Sequence, residues 1–296
     1  MNIEQITKQV RRLDIVTRRQ VTELFAGNYK SSFHGQGVEV ESLREYEDGD
    51  DVRFIDWVAT AKYDHPLIRR YRETRELTTF LLIDVSASMN FTSVGKQKSD
   101  VAIETAAMLL HAALKNNDRF GVVLFSDVIE KYIPPRKGKT HLMSILREII
   151  IAYENNTRKR SDVSVPLEFM NMVTHKHPMC FFITDDLPSD KTTRKQLRVA
   201  NRRNDLVFLH VEDPLERGEF KNKTPLRMED PETGEAMVID LSSQSVRDRF
   251  TQRRKEKMDV LQSLLRKNRI DTVTLDTHRD VYPKLFSFFK MRQMQR

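Results

Sequence analysis

Phe80-Leu81-Leu82-Ile83-Asp84-Val85-Ser86-Ala87-Ser88-Met89 joins an apolar run to one carboxylate and then to two hydroxyls at alternate positions. Four apolar residues are too few for a helix and suit a buried strand, which delivers Asp84 to its carboxyl end. In open α/β sheets, ligands collect there. The turn that follows can aim the hydroxyls of Ser86 and Ser88 at the point Asp84 faces. Such hard oxygen donors suit Mg²⁺, Mn²⁺ or Ca²⁺ and suit zinc poorly. Taken alone, the same residues also describe a strand that ends in an ordinary Asp/Ser turn.

A site of this kind needs residues from other loops at the carboxyl ends of neighbouring strands. Phe181-Phe182-Ile183-Thr184-Asp185-Asp186 is a second apolar strand ending in acids. Between the two, Ser161-Asp162 precedes a helical pattern and can supply a third hydroxyl.

The chain around these segments reads as globular. It has 296 residues, 39% hydrophobic and 31% charged, with 9 Gly and 10 Pro, which excludes collagen-like and low-complexity classes. No stretch nears the roughly twenty apolar residues of a membrane span, and Met1-Asn2-Ile3-Glu4-Gln5 does not open a secretory signal, so a cytoplasmic protein is expected. A single cysteine, Cys180, excludes an internal disulfide and fits a reducing compartment. Beside Phe181 and Phe182 it reads as a small buried hydrophobe. The net charge of +7 raises the question of nucleic acid. The excess lies in helical segments, Lys191 to Arg203 and Arg247 to Lys257, where basic and acidic residues interleave without an aromatic platform. A solvated face explains them, and no specific nucleic acid is expected.

Helical spacing of Ile6, Val10, Leu13, Val21 and Leu24 predicts an amphipathic helix over 3–25 that stops near Gly27-Asn28. From Ser31 to Arg75 short extended pieces and turns are expected, including Gly35-Gln36-Gly37 and Asp48-Gly49-Asp50-Asp51. From Leu77 strands alternate with helices: strands at 79–83, 120–125, 179–184, 206–211 and 272–275, a short piece at 128–133, and helices near 97–115, 141–153, 165–174, 191–202 and 245–267, with a closing helix through Phe289. Pro225 to Met228 and Ala236 to Ile239 read as a projecting β-hairpin. The alternation predicts an α/β fold, a doubly wound, mostly parallel sheet with helices on both faces. The expected division is a small N-terminal module at 1–75, helix plus extended segments, and a larger domain at 76–296.

With Asp84-x-Ser86-x-Ser88, a hydroxyl at 161 and Asp185 after a later strand, the core resembles a von Willebrand factor A domain, whose metal ion-dependent adhesion site uses Asp-x-Ser-x-Ser, a Thr from a second loop and a later Asp. The resemblance implies metal ligation by Asp84, Ser86, Ser88, Ser161 and Asp185, with Ser161 standing where that family usually has Thr. Upstream, Gly35-x-Gly37, Leu43-Arg44-x-Tyr46, Gly49-Asp50-Asp51-x-Arg53-x-Ile55-Asp56-Trp57, Thr60-Ala61 and Arg69-x-Tyr71 resemble the DUF58 family of bacterial proteins, which joins this signature to a von Willebrand A-like domain. That resemblance implies an adaptor acting with a MoxR-type AAA+ ATPase on a client. Asp50, Asp51, Arg53 and Asp56 permit a charge-assisted network holding the module to the sheet, while exposed pairs worth about 0–1 kcal/mol each are the safer default for any single pair, and Trp57 is expected to anchor the module in the core.

An ion held mainly by hydroxyls keeps excess positive charge and seeks an outside carboxylate, so the expected role is binding, with no catalytic residue. The enzyme alternative is a haloacid dehalogenase-like phosphatase, which wants a second acid two residues after its nucleophile. Ser86 occupies that place and cannot protonate a leaving group as a carboxylic acid would. A basic nucleic-acid-binding protein is the other alternative. Gly138-Lys139-Thr140 is similar to the end of a P-loop, but Pro134-Pro135 stands where the cradle would begin.

Overall fold

The structure, a computed structural model, describes residues 3–31, 39–47, 50–63, 65–72, 77–93, 95–155, 160–174, 177–188, 190–220, 224–229 and 235–294. The Gly35-Gln36-Gly37 expectation, Asp48-Gly49 and the tip of the hairpin lie outside these residues. By internal packing the chain forms two units, residues 1–32 with 78–296, and residues 33–77.

The N-terminus forms two helices, α1 (Ile3–Gln20) and α2 (Glu23–Ser31), rather than the single one expected. The break falls at Val21-Thr22, where the Thr22 hydroxyl accepts the Phe25 N–H at 3.3 Å and so caps the second helix. Helix α2 also runs through Gly27 and Asn28 instead of stopping there. Burial outweighs the roughly 1 kcal/mol propensity cost of a helical glycine. Phe25 and Tyr29 are both fully buried. Phe25 packs on Tyr282 and Phe289, and Tyr29 on Phe181 and Phe289. These contacts place α1 and α2 with the α/β unit. The expected 1–75 module is therefore smaller, and its helix belongs elsewhere.

In the smaller unit, β1 (Glu39–Glu45) pairs antiparallel with β2 (Leu67–Arg72). Between them lies α3 (Trp57–Tyr63), in a stretch read as extended. Its start is built by Asp56, whose Oδ1 accepts the N–H groups of Val58 and Ala59, both at 3.1 Å.

The larger unit continues with β3 (Thr78–Asp84), α4 (Lys98–Lys115), β4 (Arg119–Phe125), β5 (Ile129–Arg136), α5 (Lys139–Glu154), α6 (Ser164–Val173), β6 (Met179–Thr184), α7 (Lys191–Arg203) and β7 (Asp205–Glu212). There follow the hairpin β8 (Pro225–Glu229) and β9 (Ala236–Asp240), then α8 (Gln244–Lys267), β10 (Asp271–Asp276) and α9 (Val281–Met294). The sheet order is β10-β7-β6-β3-β4-β5, parallel except for the edge strand β5. Because both faces are covered, the strands are near-continuous apolar runs. Phe80, Leu82, Cys180, Phe182 and Phe208 face a core completed by α6, α7 and α8. Phe181 faces the other way, onto Tyr29 and Phe289.

Helix α4 is buried nearly all round, since α1 packs on it opposite the sheet. That explains why its Ala102, Ala106, Leu109, Leu110 and Ala113 stripe is only part of its apolar surface. Chain order reverses at β3, whose neighbours β4 and β6 are reached by connections leading to opposite sides. This is the switch point at which a crevice opens in a doubly wound sheet.

Candidate functional site

Parallel pairing places Ile83 opposite Ile183, so the next residues, Asp84 and Thr184, stand level at the carboxyl ends of β3 and β6. Asp84 is fully buried. Its Oδ1 accepts the Ser86 N–H at 2.8 Å. Its Oδ2 accepts the Ser161 hydroxyl at 2.8 Å and the Thr184 hydroxyl at 2.7 Å. The Tyr153 hydroxyl at the end of α5 donates to the Asp84 carbonyl at 2.6 Å. Side chain and backbone of Asp84 are thus both pinned.

The two serines of the motif lie in the turn after β3. Ser86 Oγ and Ser88 Oγ are 3.0 Å apart, and Ser88 Oγ donates to Asp185 Oδ1 at 3.2 Å. All five residues expected at the site, Asp84, Ser86, Ser88, Ser161 and Asp185, therefore meet in one bonded cluster. Ser88 and Ser161 are half-buried, which leaves a mouth toward solvent.

Four further residues, Thr184, Lys98, Glu216 and His210, join the cluster. Thr184 ends the quoted second strand, and its place just before Asp185 was the signal available for it. Lys98, at the first position of α4, donates to Asp185 Oδ2 at 2.6 Å and to Glu216 Oε1 at 2.7 Å. Nothing local marks a lone lysine or Glu216, which reach the site from 87 and 31 residues away along the chain. His210 on β7 contacts the Asp185 carbonyl through Nε2 at 3.0 Å.

The two acids are electrostatically unlike. Burial, then the Asp185 charge, pushes the Asp84 carboxyl up to about 6, against the pull of its hydrogen bonds. At Asp185 burial also pushes upward, but the charge and hydrogen bond of Lys98, with Ser88, outweigh it and hold the group below the ordinary carboxylate range. Lys98 itself is held above the ordinary lysine value, because the two acids offset its burial.

Among the described residues no three His, Cys, Asp or Glu side chains gather as a metal cluster, and the oxygens gathered here come from the carboxylates of Asp84 and Asp185 and the hydroxyls of Ser86, Ser88 and Ser161. The donor set fits a hard divalent cation. It is all oxygen, and the hydroxyls that donate to the acids keep lone pairs free to accept a cation.

The signature residues of the smaller unit behave differently. Arg44 pairs with Asp50 at 2.6 Å and Arg53 with Asp51 at 2.6 Å, while Asp56 caps α3. Thr60 Oγ1 accepts the Leu67 N–H at 3.0 Å. These bonds close inside the smaller unit and hold its own loop. Trp57 is 68% exposed and is not the buried anchor expected, since it opens a seven-residue helix with no buried residue.

A doubly wound sheet carrying Asp84-x-Ser86-x-Ser88 at its switch point defines an α/β protein with a candidate ligand site at the strand ends. The family described as protein of unknown function DUF58 matches residues 42–260, and the chain belongs to it. The uncharacterized protein Rv1480 of Mycobacterium tuberculosis is 27% identical over 244 residues, covering 82% of this chain and 73% of that protein. The uncharacterized protein YeaD of Bacillus subtilis is 29% identical over 113 residues, 38% of this chain and 26% of that one. The crystal structure of an aerotolerance-related membrane protein from Bacteroides fragilis, with multiple mutations to serines, superimposes with a TM-score of 0.51 at 11% identity. That match covers 74% of this chain and 100% of the other, and supports the fold. Among the described residues no helix is long and apolar enough to cross a membrane.

Proposed function

We propose that the protein is a non-enzymatic interaction module that holds a divalent cation, Mg²⁺ or else Mn²⁺ or Ca²⁺, for an acidic side chain of another protein. The observation that supports this reading is the bonded cluster of Asp84, Ser86, Ser88, Ser161 and Asp185 at the switch point. Ser86, Ser88 and Ser161 would hold the ion directly, with Asp84 and Asp185 behind them. When bound, the ion supplies a positive charge with a coordination position for a partner's carboxylate.

The chain's own contribution is orientation. The Ser86 N–H, Ser161 and Thr184 fix the Asp84 carboxylate, and Tyr153 fixes the strand end that carries it. Ser86, two residues after Asp84, offers no acid to a leaving group, which weighs against the phosphatase alternative. Family resemblance suggests a MoxR-type AAA+ ATPase as the partner, acting with this protein on a client, and a reducing cytoplasmic setting suits Cys180.

The test is calorimetric titration of Mg²⁺ into the wild type and Ser86→Ala. The backbone bond to Asp84 survives this substitution, so the fold is retained. The expected result is affinity weaker by about tenfold or more, with loss of EDTA-sensitive capture of a MoxR-type ATPase. Unchanged Mg²⁺ affinity overturns the reading. Metal-dependent turnover of a generic phosphate ester, abolished by Asp84→Asn, would favour the phosphatase.

A further inference from the structure

Lys98 places a cation of the chain's own inside the site. Its side chain is 1% exposed, and its ammonium is shared between Asp185 Oδ2 at 2.6 Å and Glu216 Oε1 at 2.7 Å. It also lies 5.5 Å from the centre of the Phe91 ring, a favourable place for a positive charge. The other Asp185 oxygen takes the Ser88 hydroxyl. Both oxygens of the later acid are thus engaged, one of them by a full positive charge.

Glu216 differs from Asp185 in exposure. Its side chain is 28% exposed, on the turn after β7, where its second oxygen accepts the Asp213 N–H at 3.0 Å. Lys98 therefore bridges a buried acid of the site and an acid nearer solvent that belongs to none of the expected ligands.

A divalent ion held by Ser86 and Ser88 would share Asp185 with this ammonium. Two cations on one carboxylate repel, and in a buried setting water and salt screen that repulsion poorly. Resting on the reading of this cluster as a metal site, we propose that Lys98 is a built-in counter-cation that opposes metal loading and thereby sets the site's affinity from within. Lys98 neutralises Asp185 and, with Ser88, holds both of its oxygens in place. A cation is retained firmly only when Lys98 is drawn off Asp185 toward Glu216. A purely structural lysine makes the opposite prediction: losing it would disorder Asp185 and weaken any metal.

The test uses Mn²⁺ as probe, with binding followed by electron paramagnetic resonance and by the rise in melting temperature on adding metal. Lys98→Met is expected to bind Mn²⁺ tighter than wild type by about tenfold or more, and Lys98→Arg, which keeps the charge, to stay near wild type. Adding Ser86→Ala to Lys98→Met should remove the gain. Should Lys98→Met fail to fold, the comparison is Glu216→Gln against Lys98→Met/Glu216→Gln, and the double variant is expected to bind tighter. Binding by wild type that Lys98→Met leaves equal or weaker overturns the role of Lys98 while the metal reading stands. Absence of Ser86-dependent Mn²⁺ binding in every variant overturns both.

Discussion

The Ser161 hydroxyl donates to Asp84 Oδ2 at 2.8 Å, tying a loop before α6 to the end of a strand 77 residues earlier. The contact fixes one lone pair of the acid and turns the serine oxygen toward the cluster. Serine has three comparable side-chain rotamers, whereas threonine in the same place has fewer, because its β-carbon is branched. Ser161→Ala is therefore expected to weaken Mg²⁺ binding by about tenfold, and Ser161→Thr to equal or exceed the wild type. Calorimetric titration of both variants decides it. Equal affinity in Ser161→Ala and wild type would remove Ser161 from the site.

Gly121 in the middle of β4 marks a close approach of the edge strand. A Cβ built there would meet the Ile133 carbonyl oxygen at 2.8 Å, Phe80 Cε1 at 3.0 Å and the Pro135 nitrogen at 3.0 Å. The β4–β5 register shifts between Phe120 and Val122, so the backbone of β5 bends toward the strand where a side chain is missing. Two of the three contacts are backbone, which cannot rotate away. Gly121→Ala should cost about 1–3 kcal/mol of stability, seen as a lower urea midpoint with an unchanged slope. A midpoint at or above wild type would mean that β5 can shift outward freely.

The central strands were legible because a sheet covered on both faces needs continuous apolar runs, and Phe80 to Ile83 and Met179 to Ile183 are such runs. Their acidic ends marked the crevice as well, so Asp84 and Asp185 could be paired from sequence. What stayed hidden depends on tertiary distance. Lys98 is one lysine in a basic chain, and only the fold shows that α4 begins over Asp185. Helix α2 passes its glycine because aromatic burial decides there, a term no local propensity carries. Helix α3 was missed for the reverse reason: it buries nothing, so it leaves no apolar stripe, and only the Asp56 cap announces it. The signature around Asp50 to Trp57 was recognised as a pattern, while the pairing of its charges within the smaller unit required coordinates.

Cys180 lies in β6 at 1% exposure, between the sheet and the α6–α8 layer. Burial first, and then the charge of Asp205, pushes its thiol far above the usual cysteine range. The reactive thiolate is thus scarce, and reagents have no path to it. The native protein should resist a maleimide that labels it with one equivalent after denaturation in guanidinium, as read by mass spectrometry. Rapid stoichiometric labelling in native buffer would show that β6 is reached by local opening.

His111 on α4 lies beneath α1, with Nε2 3.2 Å from Asp14 Oδ1. Burial lowers its pKa, Asp14 raises it, and Arg18 and Lys139 lower it further, so the net shift is below the ordinary value of 6.5. The folded state thus favours the neutral ring. Above about pH 7 the ring is neutral in both states and this contribution to stability is fully present. As pH falls below 6.5 the unfolded chain takes up a proton first, and the contribution is lost until the depressed folded value is reached. The slope cannot exceed about 1.4 kcal/mol per pH unit for one proton. His210 is shifted in the same direction by its own burial, so the quantity to measure is the difference between wild type and His111→Gln. Urea unfolding from about pH 7.5 to 5 should show a shallower loss of stability in the variant. Parallel curves would mean that Asp14 keeps the folded ring as easily protonated as the unfolded one.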